Sequence, residues 1–233
     1  MSNYQVKLIE QIERTPVVES FGFLSEKKIE FLPGQFLRVI FSKEDNQLNK
    51  YLSFSSSPTK DYIEFTKKLS ESRFSEKLKE LKKGDVIEIT APLGNCVFKE
   101  DYKKIVFLIG GIGITPVISI IEYIVDKEID TQVTLFYSNR REEDIAFKKE
   151  LDNWSHFNKR IKVVYTLTDA EPKDKTCIFG RINKEIINEN LESLSERVFF
   201  IFGPPRMVEA MSKVCLDLGI ESDNIRTENF LGY

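Results

Sequence analysis

At 233 residues the chain suits one large domain or two small ones, and its 34 basic and 37 acidic side chains leave a formal net charge of −3. That balance excludes a basic nucleic-acid binder, and neither a signal peptide nor an apolar run of membrane-spanning length is visible, so a cytoplasmic protein is expected. Three scattered cysteines (Cys96, Cys177, Cys215) and the lone His156 exclude a disulfide framework, a four-cysteine cluster and a metal site, so electron chemistry would need an organic cofactor.

In chain order, β-branched and alternating patterns predict strands over 5–13, 17–24 and 36–41, with Pro33-Gly34 marking a turn before the third. A polar loop over 42–49 follows. Strands over 51–56 and 62–67 flank the turn Ser57-Pro58-Thr59-Lys60-Asp61; a short helix covers 75–81, a strand 86–90, and Ala91-Pro92-Leu93-Gly94 is a turn. Short strands with one small helix predict a closed antiparallel barrel. After Glu100 the texture changes. Strands over 105–109, 132–137, 161–167 and 198–201 alternate with helices over 116–126, 142–151, 183–191 and 205–218, which predicts a parallel sheet with helices on both faces. The expected organisation is a β-barrel domain over 1–100 and an α/β nucleotide-binding domain over 101–233.

Three stretches carry candidate chemistry. In Ile105–Pro116 an apolar strand runs into Gly110, Gly111 and Gly113, then Thr115 and Pro116 start a helix. Strand, glycine turn and helix N-terminus together suit a phosphate, although Pro116 stands where the Rossmann fingerprint has its last glycine. Lys50-Tyr51-Leu52-Ser53-Phe54-Ser55-Ser56-Ser57-Pro58 sets hydroxyls beside a cation and aromatics, the groups that hold a heteroaromatic ring. Ser72-Arg73-Phe74-Ser75 opens the small helix and offers a second anion site.

These segments resemble the ferredoxin–NADP⁺ reductase superfamily. The carriers, in order, are Phe31-x-Pro33-Gly34-Gln35-Phe36, Ser53-x-x-Ser56-Ser57-Pro58, Gly84-Asp85 with Pro92-x-Gly94, and Gly110-Gly111-Ile112-Gly113-Ile114-Thr115-Pro116. Tyr137-Ser138-Asn139-Arg140, Gly203-Pro204-Pro205-x-Met207-Val208 and Glu228-Asn229-Phe230-Leu231-Gly232-Tyr233 complete the series. The resemblance covers nearly the whole chain. It implies a flavin-binding barrel, a pyridine-nucleotide domain, an active site in the cleft between them, and hydride transfer from NAD(P)H to flavin. FAD is expected rather than FMN.

Carried over by position, Lys50 to Ser53 resemble the family's Arg-x-Tyr-Ser flavin motif. Ser53 would bond the flavin N5 edge, Lys50 would meet the pyrophosphate, and Leu52 would lie where an aromatic usually covers the ring. Lysine keeps the charge but loses the arginine fork. The resemblance gives Arg73, Phe74 and Ser75 to the flavin phosphates. It gives Gly111, Gly113 and Thr115 to the NAD(P)H pyrophosphate, and Phe202, Gly203 and Pro204 to the nicotinamide site, where a cysteine is common in place of Phe202. Glu228 matches an acidic residue near the nicotinamide. Either Phe230 or Tyr233 would shield the flavin, and Gly232 favours Tyr233. Ser138, Arg140 and Arg141 lie where the coenzyme's 2′ position is read. The arginines favour NADPH, whereas Glu142-Glu143-Asp144 favour NADH; the balance leans to NADPH.

The expected partner is a separate electron acceptor, of the ferredoxin, flavodoxin or oxygenase kind, or a small molecule. A reductase that takes free flavin as substrate is the close alternative, and a non-catalytic electron-transfer or regulatory subunit is the alternative of another class.

Overall fold

Strand β1 (Ser2–Thr15) is long enough to pair on both edges, with β2 (Val18–Ser25) and with β6 (Val86–Leu93). With β3 (Phe36–Ile40), β4 (Asn49–Ser53) and β5 (Ile63–Lys68) they form an antiparallel sheet in the order β4-β3-β6-β1-β2-β5. Its two edge strands meet. Phe54, just past β4, bridges Phe65 of β5, and the Ser55 N–H donates to the Glu64 carbonyl at 2.7 Å. That link closes the sheet into the expected barrel. Alternate residues turn inward, Leu37 and Val39 on β3 and Ile87 and Ile89 on β6 among them, and all are buried in one core. Helix α1 (Arg73–Glu80) adds Phe74 and Leu78 to that core.

This computed structural model describes residues 1–169 and 171–230 and divides into two compact units. The first is Met1–Phe98 together with Thr115–Lys127, so helix α2 (Thr115–Asp126) groups with the barrel. Its contacts explain why. Glu122 accepts the Ser57 N–H at 2.7 Å, Lys60 pairs with Glu122 at 3.3 Å and Asp126 at 2.9 Å, and the Thr59 hydroxyl donates to Asp126.

The second unit holds a sheet of order β10-β9-β8-β7-β11-β12, parallel throughout. Its strands are β7 (Lys104–Gly110), β8 (Gln132–Asn139), β9 (Ile161–Leu167), β10 (Ile178–Phe179), β11 (Val198–Gly203) and β12 (Ile225–Asn229). Helices α4 (Lys184–Asn190) and α5 (Pro205–Asp217) bury one face of it through Ile186, Ile187, Val208 and Met211. On the other face Phe107, Phe200 and Phe202 pack together.

Four elements depart from the sequence expectation. The helix expected over 142–151 is a 3-10 turn, Glu142–Asp144, followed by α3 (Lys148–Phe157). Between them Ile145, Ala146 and Phe147 are buried, and Phe147 sits at φ 59°, which no helix continues through. β6 runs on to Leu93, which pairs with Phe36, where a turn was expected from Ala91. Edge strands β10 and β12 were not anticipated, because β10 has two residues and β12 only one apolar side chain. Among the described residues no helix is long and apolar enough to cross a membrane.

Candidate active site

Register decides which side chains of β4 face outward. Leu52 pairs with Leu37 and Lys50 with Val39, so 50 and 52 share the inward face; Tyr51 pairs with Arg38 and Ser53 with Phe36 on the outer one. Leu52 is therefore a core residue, 3% exposed. This corrects the expectation that it packs on a flavin ring. The aromatic on the outer face is Tyr51, 61% exposed, with the Phe36 ring edge-on at 5.8 Å and the Arg38 guanidinium 5.8 Å over it. Ser53 is buried at the point where the chain leaves β3 for β5.

The phosphate loop is only partly available. Ser72 caps α1 by accepting the Ser75 N–H at 3.3 Å, and the fully buried Ser75 hydroxyl accepts from the Ser70 N–H at 3.1 Å. The Ser75 N–H is thus taken up by the cap, and its hydroxyl is enclosed among Ser70 and Ser72. The Arg73 guanidinium pairs with Asp45 at 2.6 Å, and the Phe74 ring lies in the core. What this helix start offers an anion is the N–H groups of Arg73 and Phe74, which have no intrahelical acceptor. A cation missed by the sequence reading joins the region. Lys67, on the inward face of β5, is 5% exposed, and burial, together with nearby Lys50 and Lys68, pushes its pKa down to about 8. Its signal in the sequence was a charge at an apolar position of an alternating strand.

In the second unit β7 ends at Gly110 and the chain turns through a 3-10 segment, Gly111–Ile114. That segment runs straight into α2, so Thr115 begins the helix instead of capping it. Gly111 adopts φ +51°, and a Cβ there would meet nothing within 4 Å, which leaves its backbone open to a ligand. Gly110 lies against the flexible Met207 side chain, and Gly113 is needed for packing against the Phe202 carbonyl. The Phe202 side chain is fully buried beside Phe200 and Phe107, which makes it part of the sheet core. A nicotinamide contact through that ring is accordingly set aside. Gly203 accepts the Phe230 N–H at 2.9 Å, and Pro204 caps α5.

At the carboxyl ends of β8 and β9, Ser138 is half-buried, while Arg140 and Arg141 are exposed. Arg141 pairs with Glu143 at 3.7 Å, and Glu142 accepts the Asp174 N–H at 2.9 Å, so neither acidic residue is unengaged. Asp169, which the sequence reading passed over, donates its N–H to the Arg140 carbonyl at 3.0 Å, and its carboxylate accepts the Thr168 hydroxyl at 3.0 Å. Asn139 Nδ2, Thr166 Oγ1 and the Tyr137 hydroxyl are enclosed at the end of these strands, with the Asn139 amide beside the Tyr137 hydroxyl. On β12, opposite Phe202, burial pushes the Glu228 pKa up to about 7. Phe230 is buried, and Tyr233, the other candidate shield, lies outside the described residues.

Residues 5–98 match the oxidoreductase FAD-binding domain family and residues 107–213 the oxidoreductase NAD-binding domain family. NADH-cytochrome b5 reductase 1 of Mortierella alpina is 31% identical over 226 residues, covering 94% of this chain and 76% of that protein. The chain belongs to the ferredoxin–NADP⁺ reductase superfamily. It is 37% identical over 147 residues to NADH-cytochrome b5 reductase 1 of Dictyostelium discoideum, a match that covers 62% of this chain and 51% of that longer protein. The fold is shared with a ferredoxin NADP⁺ reductase from Neisseria gonorrhoeae solved with bound FAD and NADP, at a TM-score of 0.84 and 23% identity, over 98% of this chain and 99% of that one.

As a superfamily member the protein is an FAD- and NAD-dependent oxidoreductase. Its residues fit both groups. Lys50, Lys67 and the N–H groups of Arg73 and Phe74 suit the flavin pyrophosphate, Ser53 suits the reactive edge of the ring, and the Gly111 turn suits the coenzyme pyrophosphate.

Proposed function

We propose that the protein is an NADH-dependent flavoprotein reductase whose acceptor is a haem protein of the cytochrome b5 kind. The observation that carries this is the relative named NADH-cytochrome b5 reductase, 31% identical across 94% of the chain. Bound flavin would supply the chemistry that no side chain here has, accepting two electrons as hydride and releasing them singly. The protein's own groups bind, orient and hold protons. The Ser53 hydroxyl fixes the reacting edge of the ring. The Glu228 carboxyl, with a pKa near 7, keeps a proton in reserve at neutral pH. Asp169, just past the carboxyl end of β9 with its N–H on the Arg140 carbonyl, supports NADH, since a carboxylate binds a ribose diol and repels a 2′-phosphate.

Stopped-flow reduction with NADH and NADPH, then with cytochrome b5 and ferredoxin as acceptors, tests the reading. Yellow protein bleached faster by NADH, with the cytochrome b5 haem reduced faster than ferredoxin, is the expected result. A preference for NADPH, or haem reduction no faster than ferredoxin reduction, overturns it. A second reading, reduction of free flavin, is favoured by the enclosed Ser75 hydroxyl and the Asp45-bound Arg73, which leave fewer donors for flavin phosphates. Colourless purified protein that oxidises NADH only with added flavin would establish it.

A further inference from the structure

Just past Ser53 the chain is gripped by a closed ring of five polar side chains. Arg14 Nη2 meets Glu64 Oε2 at 3.1 Å, and the Ser55 hydroxyl donates to Glu64 Oε1 at 2.8 Å. Ser55 and Thr66 hydroxyls lie 2.7 Å apart, those of Thr66 and Ser20 2.6 Å apart, and Arg14 Nε donates to Ser20 at 2.8 Å. Ser20, Ser55, Glu64 and Thr66 are each no more than 5% exposed.

Glu64 is the hub. Besides taking the Ser55 hydroxyl, it accepts the Ser55 N–H through its carbonyl at 2.7 Å and donates its own N–H to the Ser56 hydroxyl at 2.8 Å. Burial raises the pKa of its carboxyl, and the Arg14 guanidinium works against that rise. A buried ion pair of this kind adds little net stability compared with apolar packing, but it penalises every arrangement that breaks it. It therefore suits the fixing of one geometry.

We propose that Glu64, held by Arg14, is a positioning residue for flavin reduction: by anchoring Ser55 and Ser56 it sets where Ser53 stands against the reacting edge of the ring. This rests on the reading that the flavin edge lies at Ser53. Ser53 is the last residue of β4. Phe54 is held by its bridge to Phe65 and by its N–H on the Gln35 carbonyl at 3.1 Å. Ser55 and Ser56 are held by the Glu64 backbone, with the carboxylate fixing the Ser55 hydroxyl. Releasing the Ser55 hydroxyl from the carboxylate lets Ser53 drift. A displacement of about 1 Å at a reacting centre costs on the order of a hundredfold in rate.

The test compares holoenzyme of wild type, E64Q, S55A and the double variant. E64Q keeps the shape and an acceptor oxygen but removes the charge that holds Arg14, while S55A deletes one hydroxyl and leaves the ion pair in place. Single-turnover flavin reduction by NADH should fall about tenfold or more in each single variant. The double variant should fall no further, and the concentration of NADH giving half-maximal rate should stay within about twofold. Apart from activity, the visible circular dichroism of bound FAD should change in both single variants, because the ring sits differently against the strand. Wild-type reduction rates and unchanged flavin dichroism in both single variants would overturn the proposal, as would losses that multiply in the double variant. Wild-type protein that NADH does not reduce would instead sink the flavin reading itself.

Discussion

Gly113 and the Phe202 carbonyl are pressed together: a Cβ on Gly113 would lie 2.8 Å from the carbonyl carbon and closer still to its oxygen. Gly111, two residues earlier, has open space where its side chain would be. The two glycines of one turn therefore do different jobs. Gly113→Ala should destabilise the protein by about 1–3 kcal/mol through the forced backbone shift, read by urea unfolding. Gly111→Ala should cost only about 1 kcal/mol for its left-handed backbone yet weaken NADH binding, since the methyl enters the phosphate bed. Equal effects of both on NADH affinity and on stability would contradict this division.

Glu228 gives a pH signature. Its folded pKa of about 7 exceeds the ordinary 4.5, so its contribution to stability is fully present below pH 4.5 and is lost as pH rises through 7. Glu228→Gln apoprotein should match wild type near pH 4.5 and exceed it above pH 7, by on the order of 2 kcal/mol. Urea midpoints measured across that range should diverge progressively; a constant difference would assign the effect to packing.

Lys67 titrates in the other direction. Its folded pKa of about 8 lies below the ordinary 10.5, so keeping it charged costs stability below pH 8, and that cost disappears as pH climbs towards 10.5. An anion restores the charged form. FAD affinity should therefore fall as pH rises past 8, and Lys67→Met should remove most of this pH dependence while stabilising the apoprotein at pH 7. Titration of apoprotein with FAD at several pH values is the check.

Leu52→Tyr restores the aromatic that the superfamily motif carries at this place. Because Leu52 packs against Leu37 inside the barrel, the larger ring should cost about 1–3 kcal/mol and leave FAD affinity no tighter. Tighter flavin binding at unchanged stability would show that position 52 faces the ring after all.

Much of the architecture was legible because the motifs are backbone devices. Pro33-Gly34 turns the chain before β3, and Gly111 after β7 takes a left-handed backbone that other residues rarely adopt. What escaped was competition between partners. Nothing in Ser72-Arg73-Phe74-Ser75 says that the last hydroxyl is buried against the Ser70 N–H, or that Arg73 finds Asp45, a residue 28 positions earlier. The face that Leu52 occupies depends on its register with Leu37, which a motif comparison does not carry. Glu228 was found only through the family pattern, since its strand, β12, is polar and lies at the sheet edge.

The grouping of α2 with the barrel bears on how the chain is made. Residues up to Phe98 leave the ribosome without the carboxylates that Ser57 and Lys60 bind, because Glu122 and Asp126 are encoded beyond β7. The flavin unit is discontinuous in the gene, and its last contacts form only after the first strand of the other sheet has been synthesised. A fragment cut at Glu100 would stay at that unfinished stage, however long it was given to fold.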